Sequence, residues 1–146
     1  MHLILLGALA AEPQPLMCCD EPRFTEQLKH YLKFQQHLVG AGSGPKASGE
    51  LYAWAPVAKR AIAGSSGPDK VALTRLAALT ESLKNAKLPA LRQGFVEVSQ
   101  IVSALVIRHA GGSTPVYEAV CDERPWLQRS ADSVAAPYTE CEGAFR

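Results

Sequence analysis

The chain has 146 residues, of which 47% are hydrophobic and 20% are charged, and its formal net charge is +1. This length and composition are typical of one globular domain with a buried core, and they exclude a disordered chain. No long basic run is present. Because a nucleic-acid backbone is held by clustered positive charge, we expect no nucleic-acid partner.

Residues 1–11 predict a signal peptide. Leu3 to Ala11 is a short apolar run, and Ala8-Leu9-Ala10 fits the small-x-small pattern that precedes a cleavage site. The alternative is an apolar strand or helix that packs on the core. The run is far shorter than the ~20 residues of a bilayer-spanning helix, so we expect an exported, periplasmic protein that does not span a membrane.

Apolar residues recur at helical spacing in four segments between residues 24 and 112, after an extended arm at residues 12–23. Proline and glycine mark the limits of these segments. The first runs from Phe24 to Gly40, the second from about Lys46 to Ala63, the third from Pro68 to Leu88-Pro89, and the fourth from there to Gly111-Gly112. Pro56, inside the second segment, predicts a kink or a restart.

The predicted fold is all-α, an up-down-up-down four-helix bundle at residues 24–112. Residues 113–146 are predicted to form an irregular, cysteine-containing cap packed on the bundle, because so short a segment cannot build a core alone. Val116 to Cys121 is able to form a short extended segment within the cap.

Signatures of enzymes are absent from the sequence: there is no HExxH, no GxSxG and no nucleotide-binding strand-loop-helix. The run from Gly40 to Lys46 resembles a phosphate-binding loop, but it follows a predicted helix and no Ser or Thr comes directly after Lys46. We therefore interpret it as a linker and expect no catalytic activity.

Four cysteines and one histidine are predicted to meet at one end of the bundle. An up-and-down bundle of four helices has both its ends at the same pole, where Cys18 and Cys19 precede the first helix, His109 ends the fourth, and Cys121 and Cys141 follow it. Such a cluster would bind a soft metal, Cu(I) or Zn. The alternative is that disulfides, Cys121–Cys141 first among them, staple the tail and arm to the bundle.

Cys18 and Cys19 are not expected to bond to each other, because a neighbouring pair needs a strained peptide link. Trp126 and Tyr138 are predicted to be packing anchors of the tail. The alternative for Trp126 is that its ring face contacts a bound soft metal ion.

The tail resembles a helical domain of unknown function that occurs at the C-terminus of periplasmic adaptor subunits of copper and silver efflux pumps and as stand-alone exported proteins. The similar residues are Val116-Tyr-Glu-Ala-Val-Cys121, Pro125-Trp-Leu-Gln128, Ala136-Pro-Tyr138 and Cys141-Glu-Gly143, with Leu91 to Phe95 and Ser99 upstream. The resemblance implies that Cys121 and Cys141 are the family's paired cysteines and that Trp126 and Tyr138 are their aromatic companions.

The sequence departs from this family where a thioether copper site would lie. Asp122-Glu123 stands where the family has Pro-Met, and the segment that would carry a second methionine before Cys141 is deleted. Any metal would then rest on cysteine and His109, with Asp122 or Glu123 added, which shifts the expected preference towards Zn-like ions.

Two functions are therefore expected. One is a periplasmic soft-metal-binding or metal-efflux accessory module, non-catalytic, whose partner would be a metal-efflux adaptor protein. The other is a disulfide-stapled helical protein-interaction domain without metal. In both cases we expect a monomer or a weak dimer.

Overall fold

A computed structural model of the chain describes residues 13–138, 141 and 143–146, and these residues form four helices and four short strands. The predicted signal peptide at residues 1–11 lies outside the described residues. The structure begins within the predicted arm.

Each of the four helices has a proline in its first turn, where the missing N–H would have no intrahelical acceptor and the fixed φ suits a helix. The helices are α1 (Pro22–Leu38), α2 (Gly44–Ile62), α3 (Gly67–Leu83) and α4 (Leu88–Arg108), and the prolines are Pro22, Pro45, Pro68 and Pro89. The prediction of four helices is confirmed. α2 runs through Pro56 as one helix, so a restart there is not found, and Pro56 lies on the exposed face, where water can satisfy the carbonyl that loses its partner.

The core of the bundle is aromatic at its centre. Each helix packs on the next along the chain, and α1 also packs on α4. Tyr31 and Phe34 of α1 meet Trp54 of α2 and Phe95 of α4, with ring centroids 5.2 to 6.4 Å apart. The Trp54 Nε1–H donates to the buried Gln27 Oε1 at 2.8 Å, so the indole adds apolar area without leaving a polar atom unpaired.

Helix α4 is the most apolar of the four described helices. By length and composition alone it could cross a membrane, but the core helix of a globular domain passes the same test. Its buried residues pack on α1 and α3 and on the strands.

The prediction of an all-α fold is wrong in part, because the arm and the tail form a small antiparallel sheet. The strands are β1 (Leu16–Cys18), β2 (Thr114–Cys121), β3 (Arg124–Gln128) and β4 (Ala144–Phe145). The short extended segment expected at Val116 to Cys121 is thus the greater part of β2. Because the arm and the tail lie side by side, their backbone N–H and C=O groups can form hydrogen bonds with each other as strands. An irregular segment buried against the helices would leave many of these groups without partners.

Strand β2 organises the sheet. β1 pairs with its first residues, placing Cys18 opposite Thr114, and β3 pairs with the rest, placing Cys121 opposite Arg124. β4 pairs with β2 from the edge opposite β3. β1 and β3 both contact α1 and α4, so the sheet packs against these two helices.

Candidate functional site

The two adjacent cysteines, Cys18 and Cys19, are bonded to each other, contrary to the expectation from sequence. The peptide bond between the two residues is cis, and their Cα atoms are 3.0 Å apart. Both residues are buried.

The Cys18–Cys19 pair is held against the end of α4 by backbone contacts. The Asp20 N–H donates to the His109 carbonyl at 2.9 Å, and the Gly111 N–H donates to the Met17 carbonyl at 2.8 Å. Gly112 has φ +73°, and a Cβ added there would lie 2.7 Å from the Cys19 carbonyl oxygen. The chain can make this close approach after α4 only with glycine at position 112.

His109 links three helix ends at this pole. Its Nε2 lies 2.8 Å from Asp69 Oδ2 in the first turn of α3, and its Nδ1 lies 3.1 Å from Asp20 Oδ1, just before α1. The ring stacks on Phe24 with centroids 3.7 Å apart. The His109 side chain is 12% exposed, but that of Asp20 is 50% exposed, so the contact with Asp69 is better shielded from water than the contact with Asp20.

The carboxyl of Asp69 completes this link. Partial burial raises its pKa, but hydrogen bonds and charge from Arg108 and His109 outweigh that effect and hold the pKa below its ordinary value. The Arg108 Nε–H donates to Asp69 Oδ1 at 2.9 Å. The carboxylate is therefore kept ionised between two cationic or hydrogen-bonding groups at the end of α4.

One group of side chains at this pole has the spacing of a cation site. Nδ1 of His109 and carboxylate oxygens of Asp20 and Glu21 all lie within 4.8 Å of one another. Two oxygens and one nitrogen suit a Zn-like ion better than Cu(I). In this geometry, however, each nitrogen of His109 already faces a carboxylate oxygen, so coordination would have to displace one of these contacts.

At the far end of β2, Cys121 and Cys141 form a disulfide, which is the alternative considered for them from sequence. Their Cα atoms are 6.2 Å apart. Arg124 lies beside the bond, with its Nη2 3.4 Å from Cys141 Sγ. Its guanidinium carbon also lies 4.4 Å from the centre of the Tyr138 ring.

The five predicted ligands do not come together as one cluster. Cys18 is opposite Thr114, the first residue of β2, and Cys121 is the last residue of that strand, so the two sulfur pairs are separated by about 23 Å. His109 lies with Cys18 and Cys19. The prediction that the arm and the end of α4 meet at one pole holds, but β2 then runs from that pole back along the bundle and carries the tail with it. Metal binding by Cys18, Cys19 and His109, or by Cys121 and Cys141, stays a prediction.

Trp126 and Tyr138 pack the tail onto the bundle. Trp126 is fully buried, donates its Nε1–H to Gln128 Oε1 at 3.0 Å, and meets Tyr138 edge to face at 5.8 Å. Tyr138 also contacts Phe95 of α4, with ring centroids 6.0 Å apart. Burial raises the pKa of Tyr138 to about 12, against an opposing effect of Arg124.

Sequence reasoning missed Asp20 and Asp69 as the partners of His109. A signal for Asp69 was present in the sequence. An acidic residue directly after Pro68 suits the first turn of a helix, and the bundle topology brings the start of α3 close to the end of α4, where His109 lies. It also missed Arg124 and Arg92, which lie on either side of one pocket near the Cys121–Cys141 bond.

Comparisons of the chain with protein families, with curated proteins and with solved structures find no match. The resemblance to the domain of copper and silver efflux adaptors therefore stays an expectation from sequence.

Proposed function

We propose that the protein is an exported, disulfide-stapled helical domain that acts by binding and not by catalysis. The observation that carries this proposal is that all four cysteines, Cys18, Cys19, Cys121 and Cys141, are paired in two separate disulfides. The predicted soft-metal site depends on thiolates from these cysteines, and a cysteine in a disulfide offers none. Of the two functions expected from sequence, this pairing supports the domain without metal.

Export is supported by the same chemistry. Structural disulfides persist in oxidising compartments and are rare in the cytosol. The Cys121–Cys141 bond closes a 20-residue separation and ties the tail to β2, which restricts the unfolded chain and so stabilises the folded one.

A non-catalytic role is supported by the way the best acid–base candidates are used. His109 bridges Asp20 and Asp69, and His30 Nδ1 lies 2.6 Å from Glu50 Oε2 across α1 and α2. His109 thus connects three helix ends and His30 connects two helices, and in both cases the carboxylate partners belong to the same connection.

A second candidate is metal binding, favoured by the group of Asp20, Glu21 and His109. Exchange with an external dithiol, which would itself be oxidised to a disulfide, would reduce the neighbouring Cys18–Cys19 bond and add two thiolates at the same pole. The module would then take up a Zn-like ion and work beside a metal-efflux adaptor, as the family resemblance implies.

The test is to purify the protein from an oxidising compartment, count its free thiols by alkylation and mass spectrometry, and measure its metal content on the same sample. The proposal predicts no free thiols and no stoichiometric metal. One bound ion per chain together with two or more free thiols would overturn it in favour of the metal candidate. The His109→Gln variant is the matched control, because it removes the ion under the metal candidate and leaves the thiol count unchanged under the proposal.

A further inference from the structure

A pocket of about 280 Å³ opens between the first half of α4 and the tail. It is lined by Pro89, Arg92, Gln93 and Val96 from α4, by Arg124 from β3, and by Tyr138. Two arginine side chains therefore line one concave space whose other walls are formed by Pro89, Gln93, Val96 and the Tyr138 ring. None of these lining residues carries a carboxylate.

The guanidinium of Arg92 is held by hydrogen bonds, and no carboxylate among the described residues forms an ion pair with it. Its Nε–H and an Nη2–H donate to the Leu38 carbonyl at 3.2 and 2.8 Å, and Nη2 also donates to the Gly40 carbonyl at 2.7 Å. The Leu38 carbonyl is at the end of α1 and the Gly40 carbonyl is in the turn that follows, and because both are uncharged acceptors they leave the net positive charge in place. The Nη1–H groups of Arg92 have no acceptor among the described residues and can therefore donate to a ligand.

The second guanidinium, that of Arg124, is held by the Tyr138 ring at 4.4 Å and by Cys141 Sγ at 3.4 Å. Asp122 Oδ2 lies 3.8 Å from its Nη2, but the Asp122 side chain is 83% exposed. An ion pair so open to water is weak and easily exchanged, so it does not compete strongly with a ligand inside the pocket.

The start of α4 adds to the positive potential. The helix has 21 residues, no acidic residue in its first turn and no side chain that caps it, and Pro89 in that turn lines the pocket. The N-terminal end of such a helix carries a partial positive charge. Tyr138, on the other wall, keeps a buried hydroxyl that has no hydrogen-bond partner among the described residues.

We propose that this pocket binds a small organic carboxylate with an apolar body. Arg92 and Arg124 receive the carboxylate, since planar guanidinium groups match its geometry, and the apolar body packs on Pro89, Val96 and Tyr138. A metal ion does not fit, because two cationic groups repel it. The volume is at the small end for ligand pockets, which selects a compact molecule. The inference goes beyond the proposed function, because it names a ligand and uses neither metal nor thiol chemistry.

The test is a titration of the full chain, followed by backbone amide shifts in NMR, with three probes: benzoate, its neutral counterpart benzamide, and inorganic phosphate. We expect a weak dissociation constant of about 1 mM for benzoate. The amide shifts of the pocket residues should therefore reach saturation at benzoate concentrations of roughly 10 mM. Benzamide should bind at least about tenfold more weakly, since it lacks the charge. Phosphate should be weaker than benzoate, because it cannot use the apolar walls.

The variant Arg124→Gln should weaken benzoate binding by about tenfold or more, and Arg129→Gln, an exposed arginine next to the same strand, should leave it unchanged. Arg124→Lys keeps the positive charge, so it should weaken benzoate binding less than Arg124→Gln does. Such a smaller loss would show that Arg124→Gln acts by removing the charge and not by unfolding the chain. The proposal is overturned if benzoate gives no saturable shift, if benzamide binds equally well, or if the two glutamine variants behave alike. Tighter binding of phosphate than of benzoate would overturn the assignment to carboxylates.

Discussion

The hydroxyl of Tyr31 connects the bundle to the sheet, and its removal tests this connection directly. Tyr31, in α1, is fully buried, and its hydroxyl accepts a hydrogen bond from the Leu127 N–H of β3 at 2.9 Å and also contacts Ser99 Oγ of α4. Burial raises the pKa of this phenol well above its ordinary value, while the bonds to Ser99 and Leu127 oppose that shift, so the group is neutral at ordinary pH.

The change Tyr31→Phe removes one oxygen atom and keeps the ring. The Leu127 N–H then loses its partner in a buried position, and an orphaned buried donor costs about 1–3 kcal/mol. Ser99 adds little, since a helical serine can turn its hydroxyl to a carbonyl of its own helix. The free energy of unfolding should therefore fall by about 1–3 kcal/mol, which for a chain of this length lowers the Tm by roughly 3–12 °C.

The assay is urea unfolding followed by circular dichroism, with Tyr52→Phe as the matched control. The Tyr52 hydroxyl donates to Asn85 Oδ1, but the residue is 50% exposed, so water replaces the lost bond and the change should stay within about 0.5 kcal/mol. If Tyr31→Phe costs no more than Tyr52→Phe, the hydroxyl does not tie β3 to the helices and this reasoning is refuted.

Three further predictions concern the ends of the molecule. Gly112→Ala should destabilise the chain by clearly more than Gly67→Ala. Both glycines have a positive φ, but only at Gly112 would an added Cβ collide with backbone atoms. Thermal unfolding of the two variants measures the difference. Replacing Cys121 and Cys141 together by serine should cost about 3 kcal/mol in urea unfolding, from the closed loop between them, and an unchanged midpoint would contradict a structural role for the bond. Because folding lowers the pKa of Asp69, the ionised carboxylate stabilises the fold above its unfolded pKa of 3.8, and this stabilisation is lost as the pH falls below that value. Asp69→Asn should therefore reduce the dependence of the unfolding free energy on pH in acid. An unchanged pH dependence would contradict the stabilising contact of Asp69 with Arg108 and His109.

The helices could be predicted from the sequence because their signals are local. Proline in the first turn and apolar residues at helical spacing depend only on neighbouring positions, and the structure has a helix wherever both occur. The same topology brought His109 and Cys18 to one pole, as predicted.

The sheet could not be predicted because its signals are not local. β1 has three residues, and its partner lies about a hundred positions away in the chain. The buried residues of β2 are Val116, Ala119 and Cys121, which do not alternate regularly, so the period of two that marks a half-buried strand is missing. The sequence indicated an extended segment at Val116 to Cys121, but it did not show that this segment pairs with the arm or that it carries the tail away from His109.

The direct test of the account is the connectivity of its disulfides, mapped by digesting unreduced protein with trypsin and analysing the peptides by mass spectrometry. Cys121 lies in residues 109–129 and Cys141 in residues 130–146, and Cys18 and Cys19 precede Arg23 on one peptide. We predict that the first two peptides are joined to each other and that the peptide with Cys18 and Cys19 is unjoined and lighter by two hydrogen atoms. A bond between that peptide and either tail peptide would contradict the account, because the structure separates the two sulfur pairs along the whole length of β2.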